Sequence, residues 1–269
     1  MNANIFNFEF RSRLKSVLIW SLAAGFLIFF FFSLYTSFSA DAELLDMMMA
    51  KFPPELKSAF GLDRMNMATV LGYYSLIFLF VQLCLAIQAS NYGFGLVSIE
   101  ESELTADFLL TRPVSRIQVL TSKLLAALAS LLITSAVVWL STLLSLSLFS
   151  GGRSYEAGTL ALLMASTLLF QLFFLCVGLV VSLLVKRVRN VTPWGLGLGF
   201  GMYVLSAFSG MLGDVKLEYI TPFKHFDAAA IVHDGALNTP LVLLNVAVTL
   251  VALGVSYWRY IRRDIPAVS

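Results

Sequence analysis

Residues 157–185 read AGTLALLMASTLLFQLFFLCVGLVVSLLV, 29 consecutive positions without Asp, Glu, Lys or Arg. A helix of about 20 apolar residues crosses a hydrocarbon core of about 30 Å, so this stretch holds one spanning helix and is too short for two and a turn. The same test applied outward finds five more uncharged runs, 16–40, 65–99, 124–152, 190–213 and 235–258, each of one-span length. Spans are expected at Val17–Phe38, Val70–Ala89, Leu124–Phe149, Thr159–Val185, Val191–Leu212 and Leu241–Trp258. Of the 269 residues, 59% are hydrophobic and 13% charged, where soluble domains carry about 45–50% and about 25%. An all-α polytopic integral membrane protein with six transmembrane helices follows. The net charge of +2 is too small to point to nucleic acid as a partner.

The placement of the basic residues sets the topology. Arg11, Arg13, Lys15, Arg112, Arg116, Lys123, Lys186, Arg187, Arg189, Arg259, Arg262 and Arg263 fall in alternate hydrophilic segments, twelve of the 18 Lys and Arg. The intervening segments hold the other six. Basic residues concentrate in cytoplasmic loops, so both termini are expected in the cytoplasm. The chain then divides into an N-terminal amphipathic segment at 1–16, a transmembrane domain at 17–258 and a basic cytoplasmic tail at 259–269. Within the domain, the notable connections are 91–123 on the cytoplasmic side and 213–240 on the external side. The first run follows basic residues as a signal peptide does, but its 25 residues lack a small-residue cleavage pattern before Asp41, and it reads as a retained anchor. Tyr35, Tyr73, Tyr74, Trp194, Tyr257 and Trp258 lie near span ends, where amphipathic rings suit the interface.

Sites of chemistry are few. No Asp, Glu, Lys, Arg or His lies in any span, which argues against a carrier with its own proton or sodium site. No G-x-x-x-x-G-K-[ST] phosphate loop occurs, and the nearest lookalike, Gly195, Gly197, Gly199 and Gly201, sits within the fifth span. These glycines form two small-xxx-small pairs on roughly opposite faces, a pattern for close helix packing on two sides. Cys84 and Cys176 read as small buried hydrophobes. The two histidines, His225 and His233, stand beside Asp227 and Asp234 in KHFDAAAIVHDG; surface-loop residues are favoured over a metal site there. Glu100 and Glu101 lack the partners of an intramembrane protease, so no catalytic residue and no metal ligand is assigned. Gln82, Gln88 and Gln171 are the candidate polar pathway through the spans.

The most informative connection is EESELTADFLLTRPVSRIQVLTSK, Glu100 to Lys123. Leu104 and Phe108 at i,i+4 share one helical face beside Glu100, Glu103 and Asp107, which predicts a short amphipathic helix. Pro113 stops it, and Ser115 with Gln118 three residues on is a capping box, so a second helix starts there and runs unbroken into the third span. Two helices meeting at a proline turn make a lever.

At these residues the chain resembles ABC-2 type permeases, the membrane subunits of ATP-binding-cassette exporters, whose signature is written E-x-G-T-x-E-x-L-L-x-x-P-V-S-R. Thr105, Asp107, Leu109, Leu110, Pro113, Val114, Ser115 and Arg116 match it, with Leu104 at the usual Gly and Asp107 as a shorter acid. The N-terminal FNFEFRSRLK, the six spans and the closing WRYIRRD agree with the same resemblance.

The resemblance implies a coupling helix seated in a groove of a separate ATP-binding subunit. Glu100, Glu101, Glu103 and Asp107 are then charged contacts, Leu104 and Phe108 the apolar anchor, Pro113 the turn, and Arg112 and Arg116 further contacts or phospholipid-headgroup anchors. Phe6, Phe8, Phe10 and Leu14 would lie in the interface as an elbow helix. A second permease subunit, identical or not, would face this one, in contact with membrane lipids. ATP and Mg would be bound by the partner and no cofactor by this chain, in a bacterial or archaeal plasma membrane. The alternative is a six-span scaffold or assembly protein that docks a cytoplasmic partner and moves no solute. The orientation is testable: cysteines introduced at Ser58 and Asn238 should react with an impermeant thiol reagent in intact cells, and one at Ser102 should not.

Overall fold

The structure, a computed structural model, describes residues 2–40, 47, 51–62, 65–102, 114–185, 188–212 and 216–262. Among them every regular element is helical: α1 (Ala3–Ala40), α2 (Pro54–Phe60), α3 (Val70–Ser102), α4 (Arg116–Phe149), α5 (Ala157–Leu184), α6 (Val191–Leu212), a short 3-10 turn (Lys216–Tyr219), α7 (Pro222–His225), α8 (Ala228–Asp234) and α9 (Thr239–Arg262). Six of these helices, α1, α3, α4, α5, α6 and α9, are long and apolar enough to cross a membrane.

Cross-helix contacts fix the directions. Asn2 meets Ser122, Ser21 meets Thr134 and the Phe29 ring meets Phe149, so α1 and α4 run parallel. Tyr74 meets Thr142, Gln88 meets Thr134 and Lys123 meets Leu96, so α3 runs antiparallel to α4. Arg116 and Thr121 at the start of α4 touch Ile261 and Tyr257 near the end of α9. The first and last helices therefore bring their outer ends to the same end of the bundle, the end at which α4 starts. We call it the motif end.

The second and third spans differ from the expected boundaries for a local reason. Residues 91–102 continue α3, and α4 begins at Arg116, so the connection drawn at 91–123 is largely helix. Ser115 caps α4 as its spacing predicts: its side chain accepts from the Gln118 backbone N–H, and the Gln118 side chain accepts from the Ser115 N–H. The expected separate elbow at 1–16 is instead continuous with the first span, because α1 runs unbroken from Ala3. Phe6 and Phe10 stack at 5.9 Å on it, whereas Phe8 is exposed.

Between the spans the chain packs through small residues and polar pairs. Gly93 of α3 and Gly178 of α5 let those two backbones touch: a Cβ on Gly93 would stand 3.0 Å from the Leu179 nitrogen, and one on Gly178 would stand 3.0 Å from the Ser90 carbonyl oxygen. Gly195 and Gly199 of α6 receive Asn91 and Ile87 of α3. The opposite pair, Gly197 and Gly201, has nothing within 4 Å, so close packing of α6 on two sides is met on one side within this chain. Hydrogen bonds join α4 to α5 through Ser135–Gln171 at 2.8 Å and Trp139–Thr167 at 3.2 Å.

At the far end, tyrosines expected at the membrane interface are interior. Tyr35, Tyr73 and Tyr74 pack around Phe32, and Arg153 donates to both the Tyr35 hydroxyl and the Ala68 carbonyl, each at 3.2 Å. Within the connection drawn at 213–240, the described residues from 216 on fold back into the bundle. Phe223 and Phe226 reach Phe170 at 5.0 and 6.4 Å, and Phe170 is at the middle of α5.

The glycine contacts make a paired prediction. Gly93→Ala forces the α3 and α5 backbones apart and should cost about 1–3 kcal/mol. Gly197→Ala, facing open space within this chain, should stabilise the single chain by about 0.4–1 kcal/mol through helix propensity, both read as unfolding midpoints of the monomer in detergent.

Candidate functional site

The first two turns of α4 make polar contacts with three other helices, α1, α3 and α9. Arg116 donates from Nη1 to the Ile261 carbonyl at 3.2 Å, answering one of the last carbonyls of α9, which lack partners within their own helix. Thr121 Oγ1 and the Tyr257 hydroxyl are 2.8 Å apart. Ser122 Oγ accepts from the Asn2 N–H at 2.8 Å and donates to the Gln118 carbonyl at 2.7 Å.

Lys123 is the centre of this knot. Only 2% of it is exposed, and its Nζ donates to the Leu96 carbonyl of α3 at 2.8 Å and pairs with Glu9 of α1 at 3.4 Å. The other Glu9 carboxylate oxygen pairs with Arg13 Nη1 at 2.7 Å. The Arg13 guanidinium lies 6.0 Å from the centre of the Tyr92 ring. The Tyr92 hydroxyl donates to Ser16 Oγ and accepts from Gln88 Nε2, both at 3.2 Å. A buried charge is tolerated only when paired and hydrogen-bonded, and this cluster meets that condition. Sequence reasoning counted Lys123 and Arg13 as topology charges and missed the cluster. Its one sequence signal is the i,i+4 spacing of the opposite charges Glu9 and Arg13.

The residues proposed for partner contact divide sharply. Arg116 is placed against α9, as described. Glu100 and Glu101 belong to the last turn of α3. Glu103, Leu104, Asp107, Phe108, Arg112 and Pro113 lie outside the described residues.

The candidate pathway glutamines are brought to three separate seams. Gln82 donates to the Phe226 carbonyl at 2.8 Å, Gln88 to Thr134 at 2.9 Å, and Gln171 accepts from Ser135 at 2.8 Å. Each is at most 1% exposed. Their second polar atoms, Gln82 Oε1, Gln88 Oε1 and Gln171 Nε2, have no hydrogen-bond partner.

The histidines separate. His233 is exposed and meets Asp234 at 2.8 Å. His225, expected on a loop surface, is instead buried at 2% exposure, because α7 folds inward against the Phe173 ring. Its Nδ1 is 3.3 Å from Asn245 Nδ2 and its Nε2 is 3.3 Å from the Tyr219 carbonyl. Asp227 is engaged by Lys224 at 3.0 Å and caps α8. Among the described residues no group of three His, Cys, Asp or Glu is placed to hold a metal ion.

A family model described as ABC-2 family transporter protein matches residues 3–265. No curated protein and no solved structure matches the chain.

Burial pushes the His225 imidazole below its ordinary value, against the raising effect of the Tyr219 and Glu218 carbonyls. An opened loop therefore takes up a proton more readily than the packed one. The packed form has its full advantage above the ordinary value of about 6.5 and loses it as pH falls from there toward the packed-state value. Amide exchange over 222–234, corrected for its intrinsic rate, should be faster near pH 5.5 than near pH 7.5. His225→Gln should abolish the difference.

Proposed function

Because the chain belongs to the ABC-2 family of transporter proteins, we propose that it is the permease subunit of an exporter driven by a separate ATP-binding subunit. We assign the motif end to the cytoplasm, since along the sequence the N-terminal segment and every second hydrophilic segment after it hold twelve of the 18 basic residues, and cytoplasmic loops concentrate positive charge. Both termini are then cytoplasmic, and the membrane is the plasma membrane of a bacterium or archaeon.

The observation that carries this reading is the start of α4. A helix with a complete capping box at Ser115 runs for 34 residues into the membrane. It follows directly on the segment bearing the family signature. A helix so capped does not fray at its first turn, so displacement of residues 103–113 by a moving ATPase is passed to the span and not absorbed. Leu104 and Phe108 supply the apolar anchor in the ATPase groove, and Glu100, Glu101, Glu103, Asp107 and Arg112 its charged rim. Pro113 sets the angle between the docked helix and α4.

ATP and Mg are held by the partner, whose hydrolysis supplies the work; this chain supplies positions. Two permease subunits face one another. The open face of α6 with Gly197 and Gly201 is one on which a second helix can approach closely.

The test is assembly and turnover. The purified chain alone should hydrolyse no ATP above background, and its complex with an ATP-binding subunit should. Phe108→Ala should weaken that complex by about 1.4 kcal/mol or more, tenfold in affinity. Turnover by the isolated chain, or an ATP-binding subunit that fails to bind it, overturns the proposal.

A further inference from the structure

The knot at Lys123 joins more than the two helices that flank the signature segment. Lys123 stands eight residues after the Ser115 cap, about 12 Å along α4. Leu96, whose carbonyl it holds, is four residues before Glu100 on α3. The third member of the knot, Glu9, comes from α1, which contributes nothing to the signature. We propose that residues 3–16 of α1, with Asn2 before them, are a working part of the coupling apparatus, with Lys123 and Glu9 as positioning residues that make the first span follow the signature segment. This rests on the permease reading above.

The chemistry favours a mechanical role over a topological one. A lysine that only marks the cytoplasmic side keeps its ammonium in water on a flexible stem. Lys123 is 2% exposed, bonded to a carbonyl at 2.8 Å and facing a carboxylate at 3.4 Å. Helix packing here does not require the charge, because an apolar side chain of similar volume fills such a site without the desolvation cost. The ion pair adds direction and register: it is made only when Glu9 and the Leu96 carbonyl are both opposite Lys123. Two further contacts hold the same stretch of chain in that register: Asn2 N–H bonds Ser122 at 2.8 Å and the Tyr92 hydroxyl bonds Ser16 at 3.2 Å, while Arg13, one turn along α1, fixes the Glu9 carboxylate at 2.7 Å. A tilt of the signature segment therefore moves Leu96 and Lys123 together and carries Glu9 with them.

The test uses the chain assembled with its ATP-binding subunit in lipid vesicles, with Cys84 and Cys176 replaced by Ala. An environment-sensitive probe is attached through Phe8→Cys, a position 73% exposed on α1. Adding ATP and orthovanadate should shift the probe's emission. Lys123→Gln should abolish that shift while ATP turnover stays within about twofold of the parent. Lys123→Arg should keep the shift, and Glu9→Gln should lose it as Lys123→Gln does.

A Lys123→Gln complex with an undiminished shift overturns the proposal. So does one in which turnover falls as far as the shift, since Lys123 then only holds the fold. If Lys123→Gln does not assemble, Glu9→Gln decides by the same two readings. A second probe at Ser102→Cys separates the premises: no nucleotide response there in the parent complex refutes the permease reading itself, whereas a response there without one at position 8 refutes the role of α1.

Discussion

Helices in a bilayer gain nothing from hiding apolar side chains from lipid, which is as apolar as they are, so this bundle is held by close approach and by hydrogen bonds. That constraint accounts for where its small and polar residues stand. Gly93 and Gly178 bring α3 and α5 into backbone contact, and Gly195 and Gly199 admit Asn91 and Ile87. The pairs Gln88–Thr134, Tyr74–Thr142, Ser135–Gln171 and Trp139–Thr167 then link α3, α4 and α5 across their seams. Each such bond is worth about 0.6–2 kcal/mol in a membrane, so it is the set that fixes the arrangement.

The same constraint explains why charge collects where it does. Lys123, Glu9 and Arg13 are buried, yet they lie at the motif end, where the carboxylate and the carbonyl of Leu96 complete their bonding. Farther along α3 and α4 the linking groups are uncharged, Gln88, Thr134, Tyr74 and Thr142. The bundle thus has a strongly tied end at the start of α4. Its middle is joined by weaker bonds that can be exchanged during a movement at lower cost.

Much of the fold was legible because charge-free runs report depth along the membrane normal. Six spans and the shared side of the two ends come from that one-dimensional signal, and the Ser115 cap from the three-residue spacing of Ser115 and Gln118. What it lacks is the azimuth of each side chain about its helix. Lys123 is a topology charge in one dimension and the centre of an ion cluster in three, and the two glycine pairs of α6 look equivalent until α3 is seen to cover one. Extent was misread for a related reason. The elbow at 1–16 merges with the first span because Glu9 and Arg13 neutralise one another on a buried face, which lets the helix continue through a segment that composition alone marks as polar. His225 was taken for a surface residue because the inward fold of 216–240 depends on ring contacts with Phe170 and Phe173, and these are remote in sequence.

The three glutamines bear on where a solute would pass. Each lies enclosed by helices of this one chain and bonds a neighbour across a seam. For a solute to touch Gln88, α3 must part from α4, breaking its bond to Thr134; to touch Gln171, α4 must part from α5, breaking its bond to Ser135. Every such opening also leaves a buried polar group without its partner, at about 1–3 kcal/mol each. Separation between two copies of the chain breaks none of these bonds. The unpartnered atoms Gln82 Oε1, Gln88 Oε1 and Gln171 Nε2 are then better read as the cost of packing polar glue in a tight interior than as the lining of a channel, and in the proposed two-subunit assembly the route that disturbs least would run between the two copies.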